Sequence, residues 1–425
     1  MSNTKILSRK AKIKKILCVT AVFALLIALT VDLSGCSVTY LEAADLMEGI
    51  TPREHEMKAV TVEEAEKVTD FAVRLLKASH GKGENTLVSP LSVLSALSMT
   101  ANGAKGNTLT EMEEVLGMPL NELNEYFYAY ERSLPSADTY KLHLANSVWF
   151  TSDSRFTVNN AFLQTNADYY GAEAFRVPFD DTTVKDINKW VKYHTDDMIP
   201  EILKEIPGNA VMYLVNALAF EAEWEEIYQK SKIRKGTFNE FDGEKETVDF
   251  MSSSEKYFES ENAKGFIKYY KDRKYAFAAL LPNEGIGIDE YIASLDGASL
   301  RKMLFSPEEY EMTVNLPKFE CSFDIDMSET LVSMGIKDAF NDAKADLTGL
   351  GRVEAGNLYV SRVLHKTYIS VDAKGTKAGA ATSAEISNKA APNFEVLTFD
   401  RPFVYMLIDC ETNTPFFIGS LLEID

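Results

Sequence analysis

Cysteine and histidine are both rare in this sequence, which has four cysteines and five histidines in 425 residues. Cys18 and Cys36 lie near the N-terminus, so only Cys321 and Cys410 remain for the rest of the chain. Two cysteines cannot build a disulfide framework or a cysteine-rich zinc site, and we expect both to act as small apolar side chains. We predict no bound metal and no cofactor.

Motifs of the common enzyme classes are also missing. The chain has no G-x-S-x-G nucleophile motif and no H-E-x-x-H zinc motif. The glycine pairs in Gly285–Gly287 and Gly349–Gly351 lack the third glycine of a dinucleotide site. We therefore do not expect an enzyme.

Positive charge is scarce, with 44 Lys and Arg against 64 Asp and Glu and a net charge of −20. Such a balance argues against nucleic acid as a partner. The first 36 residues are the exception: they carry +5, so the remainder of the chain carries −25. This asymmetry indicates a separate targeting segment at the N-terminus.

An apolar run over residues 16–31 follows the basic N-terminus. The combination is typical of a secretory signal, and the run is short for crossing ~30 Å of hydrocarbon. Leu33–Cys36 reads Leu-Ser-Gly-Cys and resembles a bacterial lipobox, in which the cysteine is lipidated and becomes the new N-terminus. We predict a lipoprotein signal peptide over residues 1–36, a lipid anchor on Cys36 and an extracytoplasmic location, with or without later release. A single transmembrane helix is the alternative.

The acidic stretch over residues 37–60 has no clear hydrophobic period and is predicted to be a tether before a domain at residues 61–425. Thr61 and Glu64 form a capping-box signature, and Ser89-Pro90 is a second helix start. Helices and strands follow without a βαβ alternation, which predicts an α+β fold. Strands are expected at residues 141–150, 211–220, 275–281, 312–316, 359–371, 403–409 and 415–421.

Two polar side chains interrupt runs that should be buried, Asn216 within residues 211–220 and His365 within residues 359–371. Each needs hydrogen-bond partners or costs stability. From the residues by themselves, two unrelated and satisfied core groups would explain them equally well.

Residues 372–392 are dominated by small side chains and directly follow a strand. A surface loop suits this composition, although a loop of such length in a compact domain is more often functional. From Thr376 to Ser387 the segment has a period of two, in which one set of alternate residues is small or apolar and the other holds both charges. This pattern is typical of a strand with one buried face, so the segment suits both an exposed loop and an inserted strand.

The C-terminal stretch Leu397–Leu407 resembles the signature of the serpin family at every position. Further stretches resemble family motifs in the family's order: Asn85–Ser92, Gly103–Thr108, Leu144–Asn146, Val215–Ala217, Trp224, Leu281–Glu284, Leu316–Lys318, Ala345–Gly349 and Asp372–Thr376. The resemblance implies three β-sheets, eight or nine helices and an exposed reactive loop at about residues 373–396. It also implies a monomer that inhibits serine proteases: the protease forms an acyl-enzyme with the loop, which then inserts into the central sheet.

The resemblance assigns roles to individual residues. The hinge, whose residues must be small enough to pass between strands, comprises Gly375, Thr376, Ala378, Gly379, Ala380 and Ala381. A shutter cluster under the parting strands comprises Ser89, Ser92, Asn216 and His365. The breach, where insertion begins, holds Trp224 and Lys318.

One position departs from the family pattern. The hinge usually opens with a glutamate that pairs with the lysine matching Lys318, whereas this chain has Ala373 there. The top of the sheet is therefore expected to be either looser or held by another acid.

Counting the family's loop length from Gly375 places the reactive bond at Lys389–Ala390. Lysine at that position favours trypsin-like proteases, which carry an acid in the primary pocket. A cut after Ala390 or Ala391 would instead favour an elastase-like target.

The alternative function is a non-inhibitory serpin that acts as a chaperone or surface binding protein. Such relatives carry bulky or charged residues, or proline, in the hinge, and Ala378–Ala381 has none of these. Activation by heparin is not expected, because Asn121–Tyr140 offers Arg132 as its only base.

Overall fold

A computed structural model describes residues 41–81, 83–134, 140–154, 156–206, 211–308, 311–354, 356–376 and 395–424. The predicted lipidation site Cys36, the hinge residues Ala378–Ala381 and the reactive bond Lys389–Ala390 lie outside these ranges.

A seven-stranded sheet, called the central sheet below, contains the longest predicted strands. With strands numbered in chain order, its order is β1 (Ala44–Asp45), β5 (Glu173–Val177), β3 (Tyr140–Thr151), β6 (Met212–Glu223), β15 (Gly375–Thr376), β14 (Arg362–Val371) and β12 (Phe319–Asp326). The first nine residues of β6 are all buried, which confirms the prediction of a strand covered on both faces.

A nine-stranded sheet packs the remaining apolar strands of the chain. Its order is β16 (Val396–Thr398), β11 (Glu311–Pro317), β8 (Lys245–Glu259), β9 (Ala263–Tyr269), β10 (Tyr275–Pro282), β17 (Phe403–Asp409), β18 (Thr414–Leu421) and β2 (Thr86–Val88), and β7 (Ile233–Asn239) pairs with β8. A third sheet of two strands joins β4 (Phe156–Val158) to β13 (Gly351–Val353). All seven predicted strands are present, with ends that differ by a few residues.

The described residues contain nine α-helices, which fits the number implied by the family resemblance. They are α1 (Val62–Ser79), α2 (Pro90–Ala101), α3 (Gly106–Leu116), α4 (Leu120–Ser133), α5 (Asn160–Tyr170), α6 (Asp181–His194), α7 (Ile288–Ser294), α8 (Gly297–Phe305) and α9 (Ser328–Met334). In the described part of the chain, none of them combines the length and apolar character needed to cross a membrane.

The two predicted helix starts are confirmed. The amide of Glu64 donates to the Thr61 hydroxyl at 3.2 Å, and the amide of Thr61 donates to the Glu64 carboxylate at 2.7 Å. Pro90 opens α2, and every residue of that helix is buried. Because α2 packs against β3, β6 and β18, its first turn lies beneath the central sheet.

The tether predicted for residues 37–60 is wrong for residues 43–60, because they pack against the domain, which forms one compact unit from Ala43 onward. Arg53 makes the main contact: its Nε and Nη2 donate to Asp168 Oδ2 at 2.9 and 2.6 Å, and its amide donates to Oδ1 at 2.7 Å. The ring of His55 stacks on Tyr169 at 4.4 Å. Apolar side chains of the segment, Leu46, Met47, Ile50 and Val60, also pack against the core, but their spacing follows neither a helical nor a strand period.

Asp168→Ala should loosen the part of residues 43–60 that lies around Arg53, while β1 stays paired with β5. The carboxylate is buried, which opposes ionisation, but hydrogen bonds from Arg53 and Gln164 outweigh this and lower the pKa of Asp168. Its stabilising contribution is therefore fully present above the usual pKa of about 3.9 and is lost only as the pH falls through the lowered value. We expect faster hydrogen exchange around Arg53 in the variant, to the same extent from pH 7 down to about pH 4.

Glu125→Ala is the matched control, since it removes the exposed ion pair between Lys58 and Glu125 on the same segment. Exposed pairs contribute little to stability, so exchange over residues 43–60 should hardly change. Equal exchange in the parent and Asp168→Ala would contradict the role of the buried carboxylate.

Candidate functional site

Strands β6 and β14 are neighbours in the central sheet, but only part of their length is paired directly. Tyr213–Ala217 and Arg362–Lys366 form a parallel ladder. Further along, β15 lies between them, with Thr376 antiparallel to Ala222 of β6 and to Val371 of β14. Among the described residues no ladder joins 218–221 to 367–370, a stretch of about 13 Å at ~3.3 Å per residue.

Gly375 allows the chain to enter this sheet. A Cβ atom there would lie 2.0 Å from the carbonyl oxygen of Ala222, so no other residue fits without moving β6. The preceding turn is held by Asp372, whose carboxylate accepts hydrogen bonds from the amides of Lys374 and Gly375 at 2.7 and 3.2 Å. Local turn chemistry and the close approach of two backbones together fix where β15 begins.

Thr376 is 1% exposed, and its hydroxyl hydrogen-bonds to the Tyr270 hydroxyl beneath the sheet. Thr376, one of the small residues in the alternating pattern, therefore has its side chain on the buried side of the sheet. The prediction of an exposed loop from residue 373 is wrong for Gly375 and Thr376, because both are buried between β6 and β14. Gly375 and Thr376 form the short strand β15 in this sheet.

Trp224 holds the turn before β15 in place. Its Nε1 donates to the Asp372 carbonyl at 2.9 Å, and its amide donates to the Lys374 carbonyl at 2.8 Å. The indole is fully buried and stacks on the Tyr270 ring with centroids 4.4 Å apart. The tryptophan predicted for the breach thus contacts both the hinge turn and the ring under Thr376.

Lys318 pairs with Asp249 at 3.6 Å, so an acid outside the hinge takes the place of the missing glutamate. Ala373, at the glutamate's position, contributes its carbonyl, which accepts a hydrogen bond from the Tyr228 amide at 2.8 Å. Both side chains of the Lys318–Asp249 pair are more than a third exposed, so the pair adds little stability. Backbone hydrogen bonds and Trp224 hold the hinge turn.

A buried ion pair beside the hinge was not predicted. Lys268 is 3% exposed, its ammonium contacts the Glu255 carboxylate at 2.5 Å, and it lies 4.5 Å from the ring centroid of Tyr228. Burial raises the pKa of Glu255, and the Lys268 ammonium only partly offsets this. A lysine inside the apolar run Gly265–Tyr270 is the sequence signal that could have identified the pair.

The predicted shutter residues lie together under the central sheet. Asn146, Asn216 and His365 are in register across β3, β6 and β14. Each of the three hydrogen-bonds to one serine of α2 or of its N-cap. The Ser89 amide donates to His365 Nε2 at 3.1 Å. Asn216 Nδ2 donates to the Ser92 carbonyl and Asn146 Nδ2 donates to Ser95 Oγ, both at 2.9 Å. Asn216 also donates to the Asn146 side-chain oxygen.

Asn146 and Ser95 were missed by the sequence analysis. The spacing of three residues between Ser89, Ser92 and Ser95 is the signal that could have found Ser95. His365 is fully buried, which lowers its pKa to about 3 and keeps the imidazole neutral, as an acceptor for the Ser89 amide must be. The cluster provides hydrogen bonds where β6 and β14 meet, so separating these strands disrupts it.

A family model described as "Serpin (serine protease inhibitor)" matches residues 66–424, which is most of the chain. This protein belongs to the serpin family. The family is described as one of serine protease inhibitors, which fits the expectation that the chain is not an enzyme.

Individual relatives agree with this assignment. Serpin B10 of Sorex araneus is 28% identical over 393 residues, which cover 84% of this chain and 98% of the relative. The leukocyte elastase inhibitor of Equus caballus is 29% identical over 371 residues, covering 83% and 97%. The native-state crystal structure of tengpin, a thermophilic serpin, superimposes with a TM-score of 0.87 at 44% identity, covering 90% of this chain and 100% of tengpin.

Proposed function

We propose that this serpin traps trypsin-like serine proteases by inserting its cleaved reactive loop between β6 and β14. The position of β15 carries the proposal. Thr376 already pairs with both neighbours and Gly375 pairs with β6, and beyond them the two strands are not laddered to each other over 218–221 and 367–370 in the described chain. A longer β15 would extend into that stretch.

The chemical step is an acyl transfer, in which the Lys389 acyl group moves from the amide nitrogen of Ala390 to the serine oxygen of the protease. The protease's serine oxygen attacks the carbonyl carbon of Lys389, the peptide bond to Ala390 breaks, and Ala390 leaves as an amine that takes the proton. An ester then joins Lys389 to the protease. Insertion from Thr376 onward carries this ester along the sheet before water can hydrolyse it.

The sheet offers a source of free energy for insertion. The parallel ladder of five residue pairs between β6 and β14 would be replaced by two antiparallel ladders, one on each side of the new strand. Antiparallel pairing is slightly more stable per residue, and each inserted residue would form hydrogen bonds with the strands on both sides. The contacts of Asn216 and His365 with α2 oppose separation of β6 and β14, so the shutter cluster sets part of the barrier.

Brief exposure to trypsin should give a covalent complex on a denaturing gel and a cut between Lys389 and Ala390. The prediction rests on loop length and on the preference of an acidic primary pocket for lysine. Mass spectrometry of the released C-terminal peptide identifies the bond. A stable complex with elastase only, cut after Ala390 or Ala391, would show the assigned register to be wrong. Cleavage without any covalent complex would favour the non-inhibitory alternative.

We also propose that the protein is lipid-anchored through Cys36, since a basic start, an apolar run and Leu33–Cys36 follow one another. Cys36→Ala removes the thiol to which the lipid would be attached. Labelling with a fatty-acid analogue should then be abolished, with the precursor left unprocessed or the domain released. Cys18→Ala is the control, because it changes a cysteine inside the apolar run and should keep labelling. Undiminished labelling of Cys36→Ala would overturn the assignment.

A further inference from the structure

Four cations lie within six residues in a chain whose net charge is −20: Lys230, Lys232, Arg234 and Lys235. All four are exposed, and none forms an ion pair with another described residue. Elsewhere cations are commonly paired, as Lys271 is with Glu223 at 2.6 Å. The segment 227–239 contains no acid, so this patch is locally positive on an acidic protein.

The patch borders a cleft of about 470 Å³ on one face of the nine-stranded sheet. Four strands supply its floor in register: Arg234 lies opposite Phe250, and Asn315 lies opposite both Ser252 and Thr398. Gly236 packs closely on Phe250 in this floor, since a Cβ atom there would lie 2.7 Å from the Phe250 ring. The floor is thus a formed surface rather than a solvated loop.

The nearby acids leave the positive charge largely uncompensated. Asp400 lines the cleft, and its carboxylate contacts Arg401 at 3.3 Å. Asp249 faces Lys235 across the strand pair but contacts Lys318 at 3.6 Å. The exposed charges of Lys232 and Arg234 remain free to meet an outside partner.

The cleft lies close to the reactive bond along the chain. Thr398 is part of its floor, and β16 begins at Val396. The bond after Lys389 lies six residues before Glu395, so the chain limits the separation to about 20 Å at ~3.5 Å per residue. A protease domain of about 230 residues has a radius of gyration of about 17 Å, so one engaged at the loop reaches across this distance.

We propose that the cationic cleft, formed by Lys232, Arg234 and the floor from Gly236 to Thr398, docks an acidic surface patch of the target protease. The inference rests on the proposed function and adds a second contact to it, outside the primary pocket. Charges at the rim of an interface act mainly on the association rate and on the choice of partner. The cleft thereby selects acidic proteases among those that cleave after lysine.

The test measures docking separately from trapping. The intact chain is titrated with an anionic trypsin whose catalytic serine is replaced by alanine, and binding is followed by fluorescence anisotropy at low and high salt. Lys232→Glu/Arg234→Glu should bind at least about 10-fold more weakly at low ionic strength, and the difference should shrink in about 0.5 M salt. A cationic trypsin, inactivated in the same way, should show no such loss.

Lys185→Glu/Lys204→Glu is the matched control, because it changes two exposed cations elsewhere by the same total charge. Its affinity for anionic trypsin should change by less than about 2-fold. Lys232→Gln/Arg234→Gln tests whether the charge reversal acts merely by misfolding the protein. It removes the two charges without reversing them and should also weaken binding. If both cleft variants bind anionic trypsin as tightly as the control, the proposal is wrong.

Two further outcomes separate the alternatives. If the cleft variants lose binding to dextran sulfate or phosphatidylglycerol vesicles but not to inactive trypsin, the cleft serves a different class of partner and the protease proposal is overturned. If active trypsin forms no covalent complex with the parent while docking still depends on Lys232 and Arg234, the trapping function fails and the docking surface stands.

Discussion

Thr376→Arg is expected to convert this serpin from an inhibitor of trypsin into a substrate. Thr376 is buried beneath the sheet against Tyr270, and an inserted arginine would place an unpaired cation there. An uncompensated buried charge costs roughly 3–5 kcal/mol, which slows insertion by about 10²–10⁴-fold if the cost falls in its transition state. The acyl-enzyme then hydrolyses first. We expect cleavage at an unchanged rate, loss of covalent complex on a denaturing gel and recovery of protease activity.

The native fold should tolerate this change better than the inserted state does. In the described part of the chain β15 consists of Gly375 and Thr376, so the arginine side chain can leave the sheet when these two residues detach. Two control variants show whether the buried charge causes the loss of trapping. Thr376→Val keeps the size and loses only the hydroxyl, and Lys377→Arg keeps the charge of the next residue; both should still trap trypsin. Undiminished trapping by Thr376→Arg would exclude insertion that starts at this residue.

Lys268→Met should strongly destabilise the native state. It leaves the Glu255 carboxylate buried beside Tyr228 without its counter-ion, a change that typically costs roughly 3–5 kcal/mol. Urea unfolding at pH 7.5 should show a clearly lower midpoint than the parent. Because burial already raises the pKa of Glu255, and loss of the ammonium raises it further, the penalty should shrink as the pH falls through that raised pKa.

The double variant Lys268→Met/Glu255→Gln isolates the charge effect. It replaces the pair by neutral side chains of similar size, and such replacements of buried pairs are often close to neutral. Its unfolding midpoint should therefore recover most of the loss and should depend less on pH. Lys271→Met, which breaks the half-exposed pair with Glu223, should have little effect. A double variant as unstable as the single one would mean that packing, and not charge, explains the loss.

Local patterns were sufficient to predict much of this fold. The capping box of Thr61 and Glu64 and the apolar run of β6 depend on neighbours within a few residues, and both are present as expected. The polar residues Asn216 and His365 stood out because they interrupt buried runs. Their partners on α2 could not be derived from pattern: the Ser89 amide bonds to a side chain 276 residues away, a distance over which the chain has no period.

The sequence by itself determined the fold class of the protein, because strand alternation and helix caps depend on residues close together in the chain, and the order of the motifs can be read along it. It also determined which residues are small enough to enter a sheet, Gly375 and Thr376 among them. Only the tertiary structure decided which groups come into contact. It places β15 between β6 and β14, and it pairs Lys318 with Asp249, Lys268 with Glu255 and Arg53 with Asp168. The reason is physical. A charge or a hydroxyl has many chemically equivalent partners along the chain, and only the packing of distant strands and helices selects one of them.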